Sequence, residues 1–270
     1  MLCIMQGDML RRIFFGFSIE APWPSSYPEG RLVTEEVRHV TLAFLGNVEF
    51  AKLEEALESI PLPNFPIGPV GTSDKLLFLP EKTPRVVAHH VYWLSGEGNL
   101  STYHEQLLGW LEGIGYSVDR RPLLPHVTVA RAPFDQDEWE KSFAPLPMRV
   151  SGVHLYESLG NLTYESIWER PFLQPFEEFE HTADIAFHVR GKTEQELYVH
   201  AALALGFHFP PFLTFFEERE IQDHNDVIYA LNQMLSRCDL EMGCPFKAVS
   251  YHGKIESEEN LLNWEMVVDV

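Results

Sequence analysis

The sequence predicts an α+β protein with two domains: a first, bilobal domain made of two similar α+β halves, and a smaller α+β domain after it. Segments with strand periodicity alternate with amphipathic helical segments along the whole chain. A strand motif, His-Val-Thr, occurs twice, at residues 39–41 and 126–128. The segment ERPFLQPF, with Pro171 and Pro175, interrupts regular structure before a more acidic stretch. We therefore expect domains over residues 1–173 and 174–270.

In the first domain, strands are expected where Val, Ile, Phe and Thr are concentrated, at residues 12–19, 37–45, 76–79, 86–94, 126–131, 148–156 and 162–168. Apolar residues at helical spacing predict helices at residues 50–60 and 100–114, and a short acidic helix is expected at residues 135–143. At least one of His89 and His90 is expected at a solvated strand position, and His104 on the surface of the second helix. This order gives each half one His-Val-Thr strand.

In the second domain the chain begins with an expected strand at residues 179–190. Thr193 and Glu196 have the spacing of a capping box, so a helix is expected to begin there and to end at Gly206. A second helix is expected at residues 226–237. Two strands, at residues 246–252 and 264–270, complete the domain.

The charge balance limits the kinds of partner. The chain has 270 residues with 20 Lys and Arg against 40 Asp and Glu, a net charge of −20, of which −8 falls before residue 174 and −12 after it. Long nucleic acids bind nonspecifically to basic surfaces, so we expect no such binding, although one phosphate can still bind in a local pocket. No apolar stretch is long enough for a membrane helix and no secretory signal is visible. Three sparse cysteines suit a reducing compartment, so a cytoplasmic protein is expected.

The repeated motif carries the chemistry. Residues two apart on a strand face the same side, so His39 and Thr41 are expected to lie side by side, as are His126 and Thr128. Two histidines facing each other can take a proton from an attacking group and give one to a leaving oxygen, while hydroxyls hold the other phosphate oxygens. The alternative is that these histidines are structural. Two copies on matching strands favour catalysis.

The first 173 residues resemble the two-histidine phosphoesterases, specifically the RNA 2′,3′-cyclic phosphodiesterases, also called 2′-5′ RNA ligases. The resemblance rests on RIFFGFSIEAP, RHVTLAFLGNV, RPLLPHVTVARAPF and MRVSGVHLYESLGNLTYESIWERPF. It implies acid and base roles for His39 and His126, phosphate contacts from Thr41 and Thr128, and a substrate-binding Arg131. It also implies RNA ends with a 2′,3′-cyclic phosphate as substrates and no cofactor. The stretch before His39 is short, which predicts an open substrate entrance.

The second domain offers two carboxylates of interest, Asp184 before a strand and Asp269 within one. Together they would suit a hard divalent cation such as Ca²⁺, Mg²⁺ or Mn²⁺. This region is similar to archease, an activator of RtcB-type RNA ligases, in FEHTADIAFHVRGKTEQELYVHAALAL, KAVSYHGKIE and WEMVVDV. The resemblance implies metal binding by Asp184 and Asp269, ligase activation through Lys247, and an RtcB-type ligase as partner. Only CDLEMGCPF stands where archeases usually carry further strands.

Two other functions fit the same residues. The protein would be a non-catalytic adaptor that binds RNA ends and serves the ligase, or a phosphodiesterase for small cyclic nucleotides. Replacement of His39 separates the adaptor from the enzyme, because ligase activation by an adaptor does not need that histidine. Turnover of a mononucleotide cyclic phosphate beside that of RNA separates the two enzymes.

Overall fold

A computed structural model describes residues 10–182, 184–250, 254–258 and 260–270 of the chain. Within these residues the strands form two sheets, and five α-helices lie between strands along the chain. The α+β class expected from the sequence is therefore confirmed. None of the helices in this part of the chain is long and apolar enough to cross a membrane.

The first sheet contains eight strands, namely β1 (Leu10–Glu20), β2 (Arg31–Leu32), β3 (His39–Glu49), β4 (Val70–Leu79), β5 (Val86–Trp93), β6 (His126–Arg131), β7 (Pro147–Gly160) and β8 (Thr163–Pro171). Their order is β1-β3-β6-β5-β4-β7-β8, with β2 beside β6. Because β1 also pairs with β7, the pairings close into a ring of six strands. The associated helices are α1 (Phe50–Ala56), α2 (Glu97–Gly113) and α3 (Gln136–Ser142).

Strand β1 forms the centre of the first domain, because residues 13–19 are all buried. Ile13, Phe15 and Phe17 pack into one apolar core with the leucines of α2. Burial of each such side chain contributes about 1.5–3 kcal/mol. The alternate residues of β1 face the other side of the sheet, where Phe14 and Gly16 contact the His39 ring. One strand thus supports both the core and the His39 side of the first half.

The second sheet contains five strands: β9 (Phe176–Phe179), β10 (Ile185–Gly191), β11 (Ala248–Val249), β12 (Ile255–Glu258) and β13 (Leu261–Asp269). The order is β11-β13-β10-β9, with β12 also paired to β13. Helices α4 (Glu194–His208) and α5 (His224–Met242) pack on one face, against Phe187, Val189 and Trp264. Each helix begins at a side-chain cap, Thr193 for α4 and Asp223 for α5.

Three details of the second domain differ from the sequence-based expectation. The strand expected at residues 179–190 is two strands, β9 and β10, because the chain turns between residues 180 and 184. Helix α4 continues past Gly206 to His208, and a Cβ on Gly206 would lie 2.8 Å from Leu213. Glycine is therefore present there for close packing and not as a helix stop. Of the strand expected at residues 246–252, β11 covers 248–249, and residues 251–253 lie outside the described part.

Arg149 of β7 links the two sheets. Its guanidinium donates from Nε and Nη2 to Glu20 Oε2, at 2.9 and 2.6 Å, and from Nη1 to the Phe176 carbonyl at 2.8 Å. It also lies 4.8 Å from the ring centroid of Phe176 and 5.3 Å from that of Phe207. The chain passes from β8 to β9 through residues 172–175. The predicted boundary between residues 173 and 174 falls in that short connection, and we retain it as a proposal.

Candidate active site

The two His-Val-Thr strands lie side by side in the first sheet. Strands β3 and β6 are antiparallel, and Val40 is paired with Val127. In this register His39 lies opposite Thr128, and Thr41 lies opposite His126, one residue to each side of the valine pair. Each histidine therefore has a hydroxyl beside it on its own strand and another across from it. The valines between them are fully buried, which fixes the face that the four polar side chains share.

Both imidazoles are held in the same way. Nδ1 of His39 lies 2.7 Å from the Val37 carbonyl, and Nδ1 of His126 lies 2.7 Å from the Leu124 carbonyl. A carbonyl oxygen only accepts hydrogen bonds, so Nδ1 carries the proton in each ring. In a neutral ring Nε2 then has the lone pair. Both rings line the same cavity, and Nε2 is the nitrogen left to act on a ligand there.

A β-bulge follows each threonine. Leu42 is skipped between the pairs Gly16–Thr41 and Phe15–Ala43, and Val129 is skipped between Ala88–Thr128 and Val87–Ala130. An extra residue reverses the facing of the side chains that follow it. Consequently the sixth residue of each repeat, Phe44 in one half and Arg131 in the other, returns to the cavity.

The cavity has a volume of about 430 Å³ and is strongly basic for so acidic a chain. Its lining includes both histidines and both threonines together with three arginines, Arg12, Arg31 and Arg131. No Asp or Glu is among the described lining residues. The site therefore suits a small anion that the cavity can surround. This agrees with the expectation that a single phosphate can bind in a local pocket of this acidic chain.

The surroundings of the two histidines differ. The His39 ring lies 4.7 Å from the ring of Phe14, 4.9 Å from that of Tyr156 and 5.5 Å from that of Tyr164. The pKa of His39 is lowered to about 4, chiefly by burial among these rings and in smaller part by the charges of His126, His154 and Arg131, against the opposing hydrogen bond to the Val37 carbonyl. His39 is therefore neutral at pH 7, with its Nε2 lone pair available to accept a proton.

Several residues that shape the site were not identified from the sequence. Gly16 lies under the His39 ring, where a Cβ would be 3.3 Å from His39 Cδ2. The sequence feature that could have identified Gly16 is a glycine inside an otherwise Phe-rich strand. Tyr156, Tyr164 and His154 come from β7 and β8, far along the chain, and carry no motif.

His104, expected on the surface, is buried: it is 4% exposed, and its Nε2 donates at 3.0 Å to the carbonyl of Leu42, the bulged residue of β3. That expectation was wrong, because the ring has a polar partner inside the fold that an apolar pattern does not reveal. Of the adjacent pair, His89 is 4% exposed and bonds through Nδ1 to Ser73 Oγ at 2.6 Å, whereas His90 is partly exposed and lies 2.6 Å from Asp74, so one of the two leaves the apolar face as expected.

In the second domain, Asp184 and Asp269 lie at the same end of the sheet. Ile185 pairs with Val268, so the residues just beyond them are neighbours across β10 and β13. Asp184 Oδ2 also lies 3.5 Å from His181 Nδ1. Carboxylate oxygens suit a hard cation, so the two acids fit the expected donor set. Within the described residues, however, no group of three or more His, Cys, Asp and Glu side chains is close enough to hold a metal.

Lys247 lies beside this pair of acids. Its amide donates to the Asp269 carbonyl at 2.8 Å, and its Nζ donates to the Val270 oxygen at 2.5 Å. The structure thus brings Lys247, the residue before β11, next to Asp269 at the end of β13, although they are 22 positions apart in sequence. Asp184, Asp269 and Lys247 share one end of the second sheet.

Comparison with known proteins agrees with this geometry. The chain is 30% identical over 135 residues to an RNA 2′,3′-cyclic phosphodiesterase of Thermotoga maritima, covering 47% of this chain and 69% of that protein. It is 32% identical over 163 residues to a protein of the same name from Geobacillus stearothermophilus, covering 55% of this chain and half of that protein.

Among solved structures, E. coli LigT complexed with 3′-AMP matches at 24% identity with a TM-score of 0.44, over 61% of this chain and 99% of that one. The protein TT0787 of Thermus thermophilus matches at 21% identity with a TM-score of 0.45, over 60% of this chain and 97% of that one. Residues 176–209 match the Archease protein family (MTH1598/TM1083), from β9 to the end of α4.

The fold is the bilobal α+β class expected of two-histidine phosphoesterases, with one histidine strand from each half. The extent of the Thermotoga match places the chain in the RNA 2′,3′-cyclic phosphodiesterase family. The Archease match lies beyond the region of that fold, so the chain joins a phosphoesterase to an archease-like segment.

Proposed function

We propose that the first domain opens the terminal 2′,3′-cyclic phosphate of RNA by a metal-independent reaction of His39 and His126. The observation that carries this proposal is the crossed arrangement of two histidines and two threonines around one basic cavity. Two positioned acid–base groups and two hydroxyl donors suffice for an in-line displacement at phosphorus. The relatives' name supports the same substrate.

His39 acts as the base in this mechanism and His126 as the acid. Because the pKa of His39 is lowered to about 4, its Nε2 is unprotonated near neutral pH. It takes a proton from water as the water oxygen bonds to phosphorus. The bond from phosphorus to one ribose oxygen breaks, and His126, protonated, gives that oxygen its proton. Thr41 and Thr128 donate hydrogen bonds to the remaining phosphate oxygens.

The same site would join RNA ends when a ribose hydroxyl of a second strand replaces water. His39 then takes the proton of that hydroxyl, and the product is a diester instead of a monoester. The proton transfers and the leaving oxygen are unchanged. A 2′-5′ ligase activity therefore needs no residue beyond those of the hydrolysis, only a cavity open enough to admit a second nucleotide.

The test is a ³¹P NMR time course on a short RNA ending in a 2′,3′-cyclic phosphate, with EDTA present. Wild type is compared with His39→Ala and His126→Ala. We expect loss of the cyclic signal with wild type alone, and the product shift shows which bond breaks. A cyclic signal that persists in all three samples contradicts the proposal for RNA. Adenosine 2′,3′-cyclic phosphate, run in parallel, tests the small-nucleotide alternative, which the 430 Å³ cavity and the net charge of −20 favour.

We propose that the second domain helps a cytoplasmic RtcB-type RNA ligase that uses the same kind of RNA end, so that the whole chain serves RNA repair or tRNA splicing. The match to the Archease family over residues 176–209 supports this role. Asp184 and Asp269 would hold a divalent cation, which would bind and neutralise phosphate charge there. Lys247, immediately before the adjoining strand β11, would contact the ligase.

Ligase guanylylation is the appropriate readout, measured with the full chain so that both domains are present. We expect Lys247→Ala to abolish the stimulation and leave cyclic phosphate opening unchanged. His39→Ala should show the reverse pattern. Stimulation that persists in His39→Ala, together with no opening of cyclic phosphate even by wild type, would indicate instead the non-catalytic adaptor. Calorimetric titration of Mg²⁺, Mn²⁺ and Ca²⁺ into Asp184→Asn and Asp269→Asn tests the metal separately.

A further inference from the structure

Arg31 and Arg131 lie directly across from each other. The two-residue strand β2 pairs with the end of β6, and its register places Arg31 against Arg131 and Leu32 against Ala130. Like charges at directly opposed positions of an antiparallel pair are destabilising unless something compensates them. Both side chains line the cavity that holds His39 and His126.

Within the described residues, neither guanidinium has a carboxylate partner. Arg31 donates from Nε to the Ala132 carbonyl at 2.8 Å, which fixes its stem and leaves its terminal nitrogens toward the cavity. Arg131 Nε is buried and has no hydrogen-bond partner. Some arginines of the chain pair with acids, as Arg121 does with Asp119 and Arg190 with Glu177, so the contrast is specific to arginines that line the cavity. An unpaired buried donor beside a second cation indicates an absent anion.

We propose that Arg31 and Arg131 form a subsite for a second phosphate of the substrate, the internal phosphodiester next to the reacting end. This inference rests on the function proposed above. The reacting phosphate already has His39, Thr41, His126 and Thr128 around it. Because of the bulge at Val129, Thr128 pairs with Ala88 and Arg131 with Val86, two residues apart on β5 and so roughly 7 Å along the sheet, which is more than one phosphate group spans. Guanidinium groups match phosphate oxygens in bidentate geometry, and the two non-bridging oxygens of one diester can accept hydrogen bonds from both.

The subsite gives the enzyme a way to select its substrate class. A mononucleoside 2′,3′-cyclic phosphate has one phosphate and leaves the two arginines unmatched. An RNA end has a phosphodiester one nucleotide away and satisfies them. A cyclic phosphate of ADP-ribose also brings additional phosphate, but as a pyrophosphate at a different spacing. The arginine pair therefore favours RNA ends, in spite of the acidic charge of the chain as a whole.

The experiment compares kcat/KM for ApA with a terminal 2′,3′-cyclic phosphate, for adenosine 2′,3′-cyclic phosphate and for ADP-ribose 1″,2″-cyclic phosphate. Arg31→Met is measured beside wild type, with Arg121→Met as the matched control, because it removes the same charge from a side chain that is 86% exposed and lies outside the cavity lining. We expect Arg31→Met to lower kcat/KM for the dinucleotide about 10–100-fold, as loss of hydrogen bonds to a charged group does. The mononucleotide should change less than about twofold, and Arg121→Met should change neither.

Equal losses on the dinucleotide and the mononucleotide would overturn the subsite and leave the proposed function intact. A loss confined to the ADP-ribose substrate would assign the arginines to a pyrophosphate and overturn the RNA assignment. Salt dependence is a second readout, which a purely structural role would not change. The slope of log(kcat/KM) against log salt concentration for the dinucleotide should become less steep by about 0.7 in Arg31→Met.

Binding of ApA 3′-phosphate and adenosine 3′-phosphate, measured by calorimetry, requires no turnover and separates the subsite from the reaction. If wild type opens no cyclic phosphate yet Arg31→Met weakens only the dinucleotide, the subsite stands and the proposed reaction fails. If Arg31→Met binds both nucleotides as wild type does, the subsite is wrong whatever the enzyme does.

Discussion

The two histidine strands have almost the same sequence and the same local fold, but different surroundings. Each contains a His-Val-Thr motif, a bulged aliphatic residue, a buried alanine and a sixth residue that returns to the cavity. Even the bulges are supported alike: His104 donates to the Leu42 carbonyl, and the Val33 amide donates to that of Val129 at 2.9 Å. The repeat therefore sets the geometry of each half.

What distinguishes the halves is what packs against them. His39 is enclosed by aromatic rings of β1, β7 and β8, whereas β6 carries His126 beside β3 and β5, without that enclosure. The sixth residue is Phe44 in one half and Arg131 in the other. A duplicated motif has thus become an asymmetric site, with an enclosed neutral histidine and an aromatic residue on one strand and an arginine on the other.

Replacement of either histidine should have the largest effect. We expect His39→Ala and His126→Ala each to lower kcat/KM about 10²–10⁴-fold, because each removes one of the two proton transfers. The double variant should lose little more than the worse single variant, since the two groups act as a unit. His188→Ala, in the second domain, is the control. Multiplicative losses in the double variant, measured by ³¹P NMR, would argue against coupled action.

The threonines test whether the two halves hold the phosphate equally. Thr41→Val and Thr128→Val keep the shape of the side chain and remove the hydroxyl. We expect each to lower kcat about 10²-fold, as loss of one donor to a developing charge does. KM should change less than kcat. If one valine variant keeps full activity, that half does not contact the phosphate, and the crossed arrangement has only one donor.

The sequence predicted the parts of this site that are repeated, and missed those that are not. The pattern predicted His39, Thr41, His126 and Thr128 on one surface, the resemblance implied Arg131 near the substrate, and the structure places all five around one cavity. A period-two pattern, together with a second copy, is enough to locate such residues. Whether they carry the reaction remains a prediction until the variants are measured.

The features that the sequence did not show depend on contacts between distant segments. Arg31 lies on a strand of two residues, too short to leave a periodic pattern. The enclosure of His39 comes from Tyr156 and Tyr164, more than 100 positions away in the chain. Burial of His104 depends on the Leu42 carbonyl left free by a bulge. Each results from tertiary packing, which a single segment does not encode.

Phe44 provides a way to test the asymmetry at the sixth position. Phe44 is 48% exposed, with the Arg12 guanidinium 5.1 Å and the Phe14 ring centroid 6.4 Å from the centroid of its ring, and its exposed part can contact a nucleobase. We expect Phe44→Leu to raise KM about tenfold for an RNA ending in adenosine, with little change in kcat. The loss should be smaller for a terminal uridine, whose base stacks less. Equal loss for both bases would mean that Phe44 only shapes the cavity.

The dependence of activity on pH is the sharpest test of the His39 environment, although the change in rate that it predicts at neutral pH is the smallest of all. The pKa of His39 is lowered to about 4 because its ring is buried among aromatic side chains. The activity of wild type should therefore stay near its maximum down to about pH 5 and fall as His39 becomes protonated below that. Because unfolded histidine has a pKa near 6.5, the unfolded state binds this proton first as the pH falls, and His39 costs the protein stability between pH 6.5 and 4.

Tyr164→Leu removes one of the enclosing rings at the cavity and should move the acidic limb upward, toward pH 6. The rate at pH 5 should then be about a tenth of its maximum, while the rate at pH 7 changes little. Tyr229→Leu, an exposed tyrosine of α5, is the control and should leave the profile of wild type unchanged. An acidic limb of wild type already at pH 6–7 would show that His39 is solvated in solution, and the assignment of His39 as the base would lose its physical reason.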